Sequence, residues 1–128
     1  MIAFLLAATL NAPACANPSI VSTSVQSVAN LGALDRYTVA IVVQNAGSLR
    51  QPSDLLQSVD VFQDHERVDR IGLQPLPPGQ SQRVIYRFDR SAEAGAGSTE
   101  LLFSLDLNGR SGDDVDCHAG NENAKLYV

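Results

Sequence analysis

Residues 37–47 read Tyr-Thr-Val-Ala-Ile-Val-Val-Gln-Asn-Ala-Gly, and this stretch decides the fold class. Up to Gln44, every second residue belongs to one apolar set, namely Tyr37, Val39, Ile41 and Val43. An apolar period of two predicts a β-strand. The run ends in Asn-Ala-Gly-Ser at residues 45–48, which favours a turn because Asn and Gly tolerate the backbone angles that a reversal needs.

The same pattern recurs on both sides of this strand. It predicts further strands around residues 20–28, 59–62, 68–73, 84–88, 101–107 and 124–128. Turn-forming residues separate them, notably at 64–66, 76–81 and 92–97, and no stretch combines a helical period with capping residues. The sequence therefore predicts an all-β fold, an immunoglobulin-like or fibronectin III-like antiparallel β-sandwich of about seven strands.

Length and charge narrow the class of protein. The chain has 128 residues, which fits one domain, and its 14 Asp and Glu against 9 Lys and Arg give a net charge of −5. A nucleic-acid binder needs a basic face that replaces phosphate counterions, and these dispersed cations provide none. We therefore expect no nucleic-acid partner.

The first 16 residues have the pattern of an export signal. No charged side chain precedes Asp35, and residues 2–10 are an apolar run, too short to cross a bilayer as a helix of about 20 residues. The small residues that follow match an A-x-A peptidase site. We predict a signal peptide over residues 1–16, with cleavage after Ala14 or Ala16, no transmembrane segment in the mature chain, and a location in the periplasm, at the cell surface or outside the cell.

The cleavage position decides the role of Cys15. A cut after Ala16 removes it and leaves Cys117 as the only cysteine, whereas a cut after Ala14 allows a Cys15–Cys117 disulfide. Such a bond would stabilise the fold by about 4 kcal/mol in the chain-entropy model. A third alternative is lipid attachment at Cys15, since residues 12–15 are distantly similar to a bacterial lipoprotein box.

Residues that could carry catalysis are few. His65 and His118 have acidic neighbours, but there is no Cys-x-x-Cys or His-x-His spacing, and the only methionine is Met1. A Gly-x-Ser-x-Gly motif is also absent. The sequence therefore predicts no catalytic residue, no cofactor and no enzymatic activity.

Oxygen ligands are concentrated near the C-terminus. Carboxylates of the kind that calcium prefers occur at Asp106, Asp113, Asp114, Asp116 and Glu122. Their spacing differs from that of an EF-hand loop, and a solvated acidic loop explains the same residues. Calcium binding is the alternative to that simpler interpretation.

Several short motifs occur in a definite order along the chain. They are Val-Val-Gln-Asn-Ala-Gly at 42–47, Val-Asp-Val-Phe at 59–62, Leu-Pro-Pro-Gly-Gln-Ser at 76–81, Asp106, and Asn-Glu-Asn at 121–123. The ordered set resembles the CARDB domain, a bacterial cell-adhesion-related module. The resemblance implies a single sandwich domain over residues 17–128, outside the cytoplasm and without enzymatic activity of its own.

The predicted function follows from the export signal and this resemblance. We expect a noncatalytic exported interaction module of adhesion type, whose partner is a protein or glycan of the cell envelope. The alternative is a structural or accessory envelope lipoprotein anchored through Cys15. Because Ig-like domains bind through end loops or sheet edges, the candidate binding surfaces are the loops at 45–53, 64–66 and 108–123.

Overall fold

The computed structural model describes residues 15–93, 95, 97–107 and 122–128. Its strands are β1 (Pro18–Asn30), β2 (Leu34–Asn45), β3 (Gln57–Gln63), β4 (Glu66–Leu73), β5 (Ser81–Ser91), β6 (Glu100–Asp106) and β7 (Asn123–Tyr127). Within the described part of the chain we find no helix that could cross a membrane. The predicted all-β class and the number of strands are confirmed.

The strands form two antiparallel sheets that pack as a sandwich. One sheet has the order β1-β2-β5 and the other the order β4-β3-β6-β7. Apolar side chains from both sheets meet in one core, made of Ile20, Val39, Ile41, Val43, Val59, Val61, Leu73, Leu76, Val84, Tyr86, Phe88, Leu101 and Phe103. Each strand thus buries its alternating apolar set between the layers, as the period of two requires.

The alternating residues 37–44 belong to β2, the central strand of its sheet. In β2, Val39 and Ile41 are fully buried and pair with Tyr86 and Val84 of β5. Directly opposed residues of an antiparallel pair lie on the same face, so the two apolar sets form one continuous surface. The predicted strand at 84–88 thus lies beside β2 with Val84 and Tyr86 facing the core.

The β3–β4 hairpin has a turn of two residues, one fewer than predicted. Asp64 and His65 form it with φ values of 49° and 75°, and Glu66 already belongs to β4. Positive φ at both positions is the conformation whose twist suits the flanking strands, and Asp and His adopt it more readily than most residues. The turn is fixed to β6, because Asp64 N–H donates to the carbonyl of Glu100 at 3.0 Å and Glu100 N–H donates to Asp64 Oδ1 at 3.1 Å.

Candidate functional site

The side chain of Asn45, the last residue of β2, connects three separate segments of the chain. It is fully buried. Its Oδ1 accepts the N–H groups of Asn17 and Gly47 at 2.9 and 3.0 Å. Its Nδ2 donates to the carbonyls of Leu49 and Leu76 at 2.8 and 3.0 Å. Asn45 therefore joins the residues before β1, the loop after β2 and the segment before β5.

Residues 15–17, which we call the N-terminal arm, lie along the loop that follows β2. The carbonyl of Cys15 accepts the N–H groups of Ser48 and Leu49 at 2.9 and 3.2 Å. Ala46 N–H donates to the carbonyl of Asn17 at 2.8 Å. Ala16, between them, is only 2% exposed. The arm is thus packed and hydrogen-bonded as part of the domain.

Gly47 is required by this contact. It is not among the described glycines with positive φ, so the expected backbone freedom in a reversal does not explain this glycine, and that prediction is wrong. A Cβ at Gly47 would lie 2.2 Å from the carbonyl oxygen of Cys15 and 2.6 Å from the nitrogen of Asn17. Only glycine lets the two backbones approach this closely. The Asn-Ala-Gly motif therefore forms the docking site of the N-terminal arm.

A second feature is the open edge of β1. In its sheet, β1 pairs with β2 on one side and with no other described strand on the other. Exposed apolar side chains are concentrated on β1, on the turn after it and at the start of β2. They are Val21, Val25, Val28, Leu31 and Leu34, which are between 37% and 51% exposed. Val25 and Val28, whose partners in β2 are Val39 and Tyr37, lie on one face of the sheet and form what we call the β1 edge surface. Exposed apolar residues grouped in this way indicate an interaction site more than single ones do.

A β-bulge explains the arrangement of this surface. Val25 pairs with Val39 and Val28 pairs with Tyr37, and the register shifts at the extra residue Gln26. Without the bulge, residues three apart would point to opposite faces of the sheet; with it, Val25 and Val28 both lie on the core-facing side. Their exposure shows that the core does not extend over this part of β1.

Of the predicted calcium ligands, the structure describes Asp106 and Glu122. Arg70 Nη2 donates to Asp106 Oδ2 at 3.1 Å, so that carboxylate already has a guanidinium as a partner. Among the described residues, no group of three or more His, Cys, Asp and Glu could hold a metal ion. The remaining predicted ligands, Asp113, Asp114 and Asp116, lie outside the described residues, and calcium binding there stays a prediction.

The predicted binding loops differ in how much they expose. In the loop at 45–53, Asn45 and Gln51 are buried, and Gln51 exchanges two hydrogen bonds with the side chain of Gln57 at 2.8 and 3.0 Å. At the β3–β4 turn, His65 is 84% exposed, with Nδ1 3.7 Å from Glu100 Oε1. Most of the loop at 108–123, including His118, lies outside the described residues.

An ion pair between Asp60 and Arg70 stabilises the outer face of the four-stranded sheet. Arg70 Nε and Nη2 donate to the two carboxylate oxygens of Asp60 at 2.9 and 3.0 Å, and Ser58 Oγ adds a bond at 3.0 Å. The hydrogen bond from Arg70 is the largest effect on this carboxyl group and holds the pKa of Asp60 below its usual value, against the opposing effect of burial.

We expect Asp60→Asn to lower the free energy of unfolding by about 1.5 kcal/mol near neutral pH, a modest loss because Arg70 is partly solvated. Since folding lowers the pKa of Asp60, its stabilisation is present above the unfolded pKa of about 3.9 and is lost as the pH falls through the folded pKa. Urea unfolding near pH 7 and near pH 3 should therefore show a difference between the two proteins that shrinks in acid. Asp69→Asn, on the exposed part of β4, is the control and should change stability by less than about 0.5 kcal/mol. A difference for Asp60→Asn that stays constant with pH would contradict the assignment.

Cys15 is the one predicted disulfide residue that the structure describes. Its sulfur belongs to a disulfide, and no described cysteine is free. Cys117 lies outside the described residues, so the Cys15–Cys117 pairing stays a prediction.

Comparisons with known proteins find likeness in structure only. No family model matches the chain, and no curated protein does. The crystal structure of the CARDB domain of a Pyrococcus furiosus protein, in complex with di-metal ions, has 15% identity and a TM-score of 0.66. That match covers 92% of this chain and 96% of the other. The solution structure of a domain from an inferred cell surface protein of Methanosarcina acetivorans has 17% identity and a TM-score of 0.57, over 89% of this chain and 90% of the other.

A larger protein also contains a similar unit. The crystal structure of an inferred beta-galactosidase from Bacteroides fragilis matches 87% of this chain but only 17% of its own, with 11% identity and a TM-score of 0.55. At such identities the likeness establishes the fold. The chain has the fold of CARDB domains, which confirms the resemblance drawn from the motifs.

Proposed function

We propose that this chain is a noncatalytic interaction module of adhesion type, exported to the cell envelope or beyond. The observation that carries the proposal is the likeness, over about nine tenths of both chains, to a CARDB domain and to a domain of an inferred cell surface protein. The signal-like residues 1–16 and the disulfide at Cys15 support export, because disulfides persist in oxidising compartments.

The β1 edge surface is the binding site in this proposal, and its ligand is an extended segment of a partner protein. Sheet edges in soluble proteins are usually short or carry charges that discourage pairing. β1 has 13 residues and no charged side chain. An uncharged, extended segment can add to such an edge through backbone hydrogen bonds, while its apolar side chains cover the exposed valines.

The two bulges of β1 define where such a segment can pair. Register shifts fall between Ile20 and Ser22 and between Val25 and Ser27. Bulges interrupt the regular alternation of hydrogen-bonding groups along an edge. Regular pairing is therefore open to residues 22–25 and 27–30, each of which includes one valine of the β1 edge surface.

A photo-crosslinking amino acid at Val28 should give an adduct with a protein in envelope extracts of the source cells. At Leu56, which is 67% exposed and directly precedes β3 of the other sheet, the same amino acid should give none. Val25→Lys, introduced with the crosslinker at Val28, should reduce the adduct at least tenfold, because it places a charge on the edge. Adducts of equal yield at both positions, or an adduct at Val28 that contains only glycan, would contradict the proposed ligand. A self-adduct would identify a second copy of this chain as the partner instead.

A further inference from the structure

The N-terminal arm is packed and hydrogen-bonded as part of the folded domain, and this bears on where the export signal is cut. We propose that the export signal is removed by hydrolysis of the Ala14–Cys15 peptide bond, so that the mature chain begins with Cys15, whose sulfur enters a disulfide and carries no lipid. Water is the co-reactant, and the cut leaves a carboxyl group on Ala14 and an amino group on Cys15. The inference rests on the proposed export.

Two bonds in this region satisfy the sequence rule for signal peptidases equally well. Ala12-Pro13-Ala14 and Ala14-Cys15-Ala16 are both A-x-A patterns that follow a short apolar run. The rule therefore allows a cut after Ala14 or after Ala16. The two products differ in which contacts of the folded domain they retain.

A cut after Ala16 would remove contacts that the folded domain makes. The carbonyl of Cys15 would be lost, leaving the N–H groups of Ser48 and Leu49 without the acceptor they have in the structure. The buried position of Ala16 would be vacated, and of the close backbone contacts that require Gly47 only the one with Asn17 would remain. A cut after Ala14 preserves every one of these contacts.

The sulfur of Cys15 gives a second reason for the same boundary. Cys15 belongs to a disulfide in the folded domain, and only a cut after Ala14 retains that bond. A lipid would be attached to the same sulfur as a thioether, and one sulfur cannot form both bonds. The lipid-anchored alternative is therefore incompatible with the disulfide, and Cys117, the other cysteine in the sequence, is its expected partner.

The test is the mass of the exported protein. The complete chain is produced in a bacterial host, the processed form is alkylated without reduction, and its intact mass and N-terminal peptide are determined by mass spectrometry. We expect a chain that begins at Cys15, takes up no alkyl group before reduction and takes up two after it. A chain that begins at Asn17 would overturn the inference and leave the proposed export intact. An uncleaved chain would overturn the export itself, and a lipid mass on Cys15 would overturn the disulfide.

Two variants upstream of the arm test the cleavage position without changing any residue from Cys15 onward. Ala12→Asp changes the first alanine of the A-x-A pattern that precedes Cys15 and leaves the second pattern intact. It should reduce the yield of the chain beginning at Cys15 at least tenfold. Pro13→Ala, at the unrestricted middle position, is the matched control and should leave that yield unchanged. An unchanged yield from Ala12→Asp would overturn the assignment.

Discussion

Asn45→Ala is expected to lower the free energy of unfolding by about 4 kcal/mol, a loss of the size seen when a buried hydrogen-bond network is broken. The side chain is fully buried and makes four hydrogen bonds to backbone groups. Each buried backbone group left without a partner costs about 1 to 3 kcal/mol. The total falls short of four such penalties because the loops can shift and water can reach some of the groups.

Asn30→Ala is the matched control for this substitution. Asn30 also makes several hydrogen bonds, to Gly32 in the β1–β2 turn and to Asp35 near the start of β2, but all of them are exposed to solvent. Water replaces exposed partners at little cost, so this variant should lose less than about 0.5 kcal/mol. Urea unfolding followed by circular dichroism gives both values. Equal losses for the two variants would show that Asn45 does not act through its buried contacts.

The sandwich could be predicted because its strands depend on local patterns. In β2 and β5 the apolar period of two is unbroken, so the sequence gives both the strands and their inward faces. The turn at Asp64 and His65 was found from residue type alone. These features are encoded within a few neighbouring residues, which is where pattern reasoning is reliable.

The Asn-Ala-Gly motif was located correctly but its role was not predicted. Its partners, Cys15 and Asn17, lie about thirty residues earlier in the chain. A contact over such a distance leaves no periodic signal, and the residue types also suit an ordinary turn. A glycine without positive φ is distinguished from a turn glycine only when the approaching backbone is known.

The β1 edge surface was missed for a related reason. The bulge at Gln26 spaces Val25 and Val28 three residues apart, which breaks the period of two. The absence of charge before Asp35 is a signal for this surface as well as for the export signal. Charge is also lacking along all of β1, and an uncharged edge strand is unusual in soluble proteins.

Gly47→Ala is expected to lower the free energy of unfolding by about 3 kcal/mol, at the upper end of the cost of overpacking. The added methyl group would meet backbone atoms of Cys15, Ala16 and Asn17 at 2.2 to 2.8 Å, and backbone cannot move aside as a flexible side chain can. The N-terminal arm must therefore separate from the loop. Its hydrogen bonds to Ser48 and Leu49 are lost with it.

Gly72→Ala is the matched control, because a Cβ at Gly72, in β4, would have no atom within 4 Å. It should be neutral or stabilising by a few tenths of a kcal/mol, since alanine reduces the freedom of the unfolded chain. Hydrogen exchange separates arm release from general destabilisation: in Gly47→Ala the amides of Ser48 and Leu49 should exchange much faster, while those of Val39 and Ile41 follow global unfolding. Slow exchange at Ser48 and Leu49 in that variant would mean that the arm remains docked, and the account of Gly47 would then be wrong.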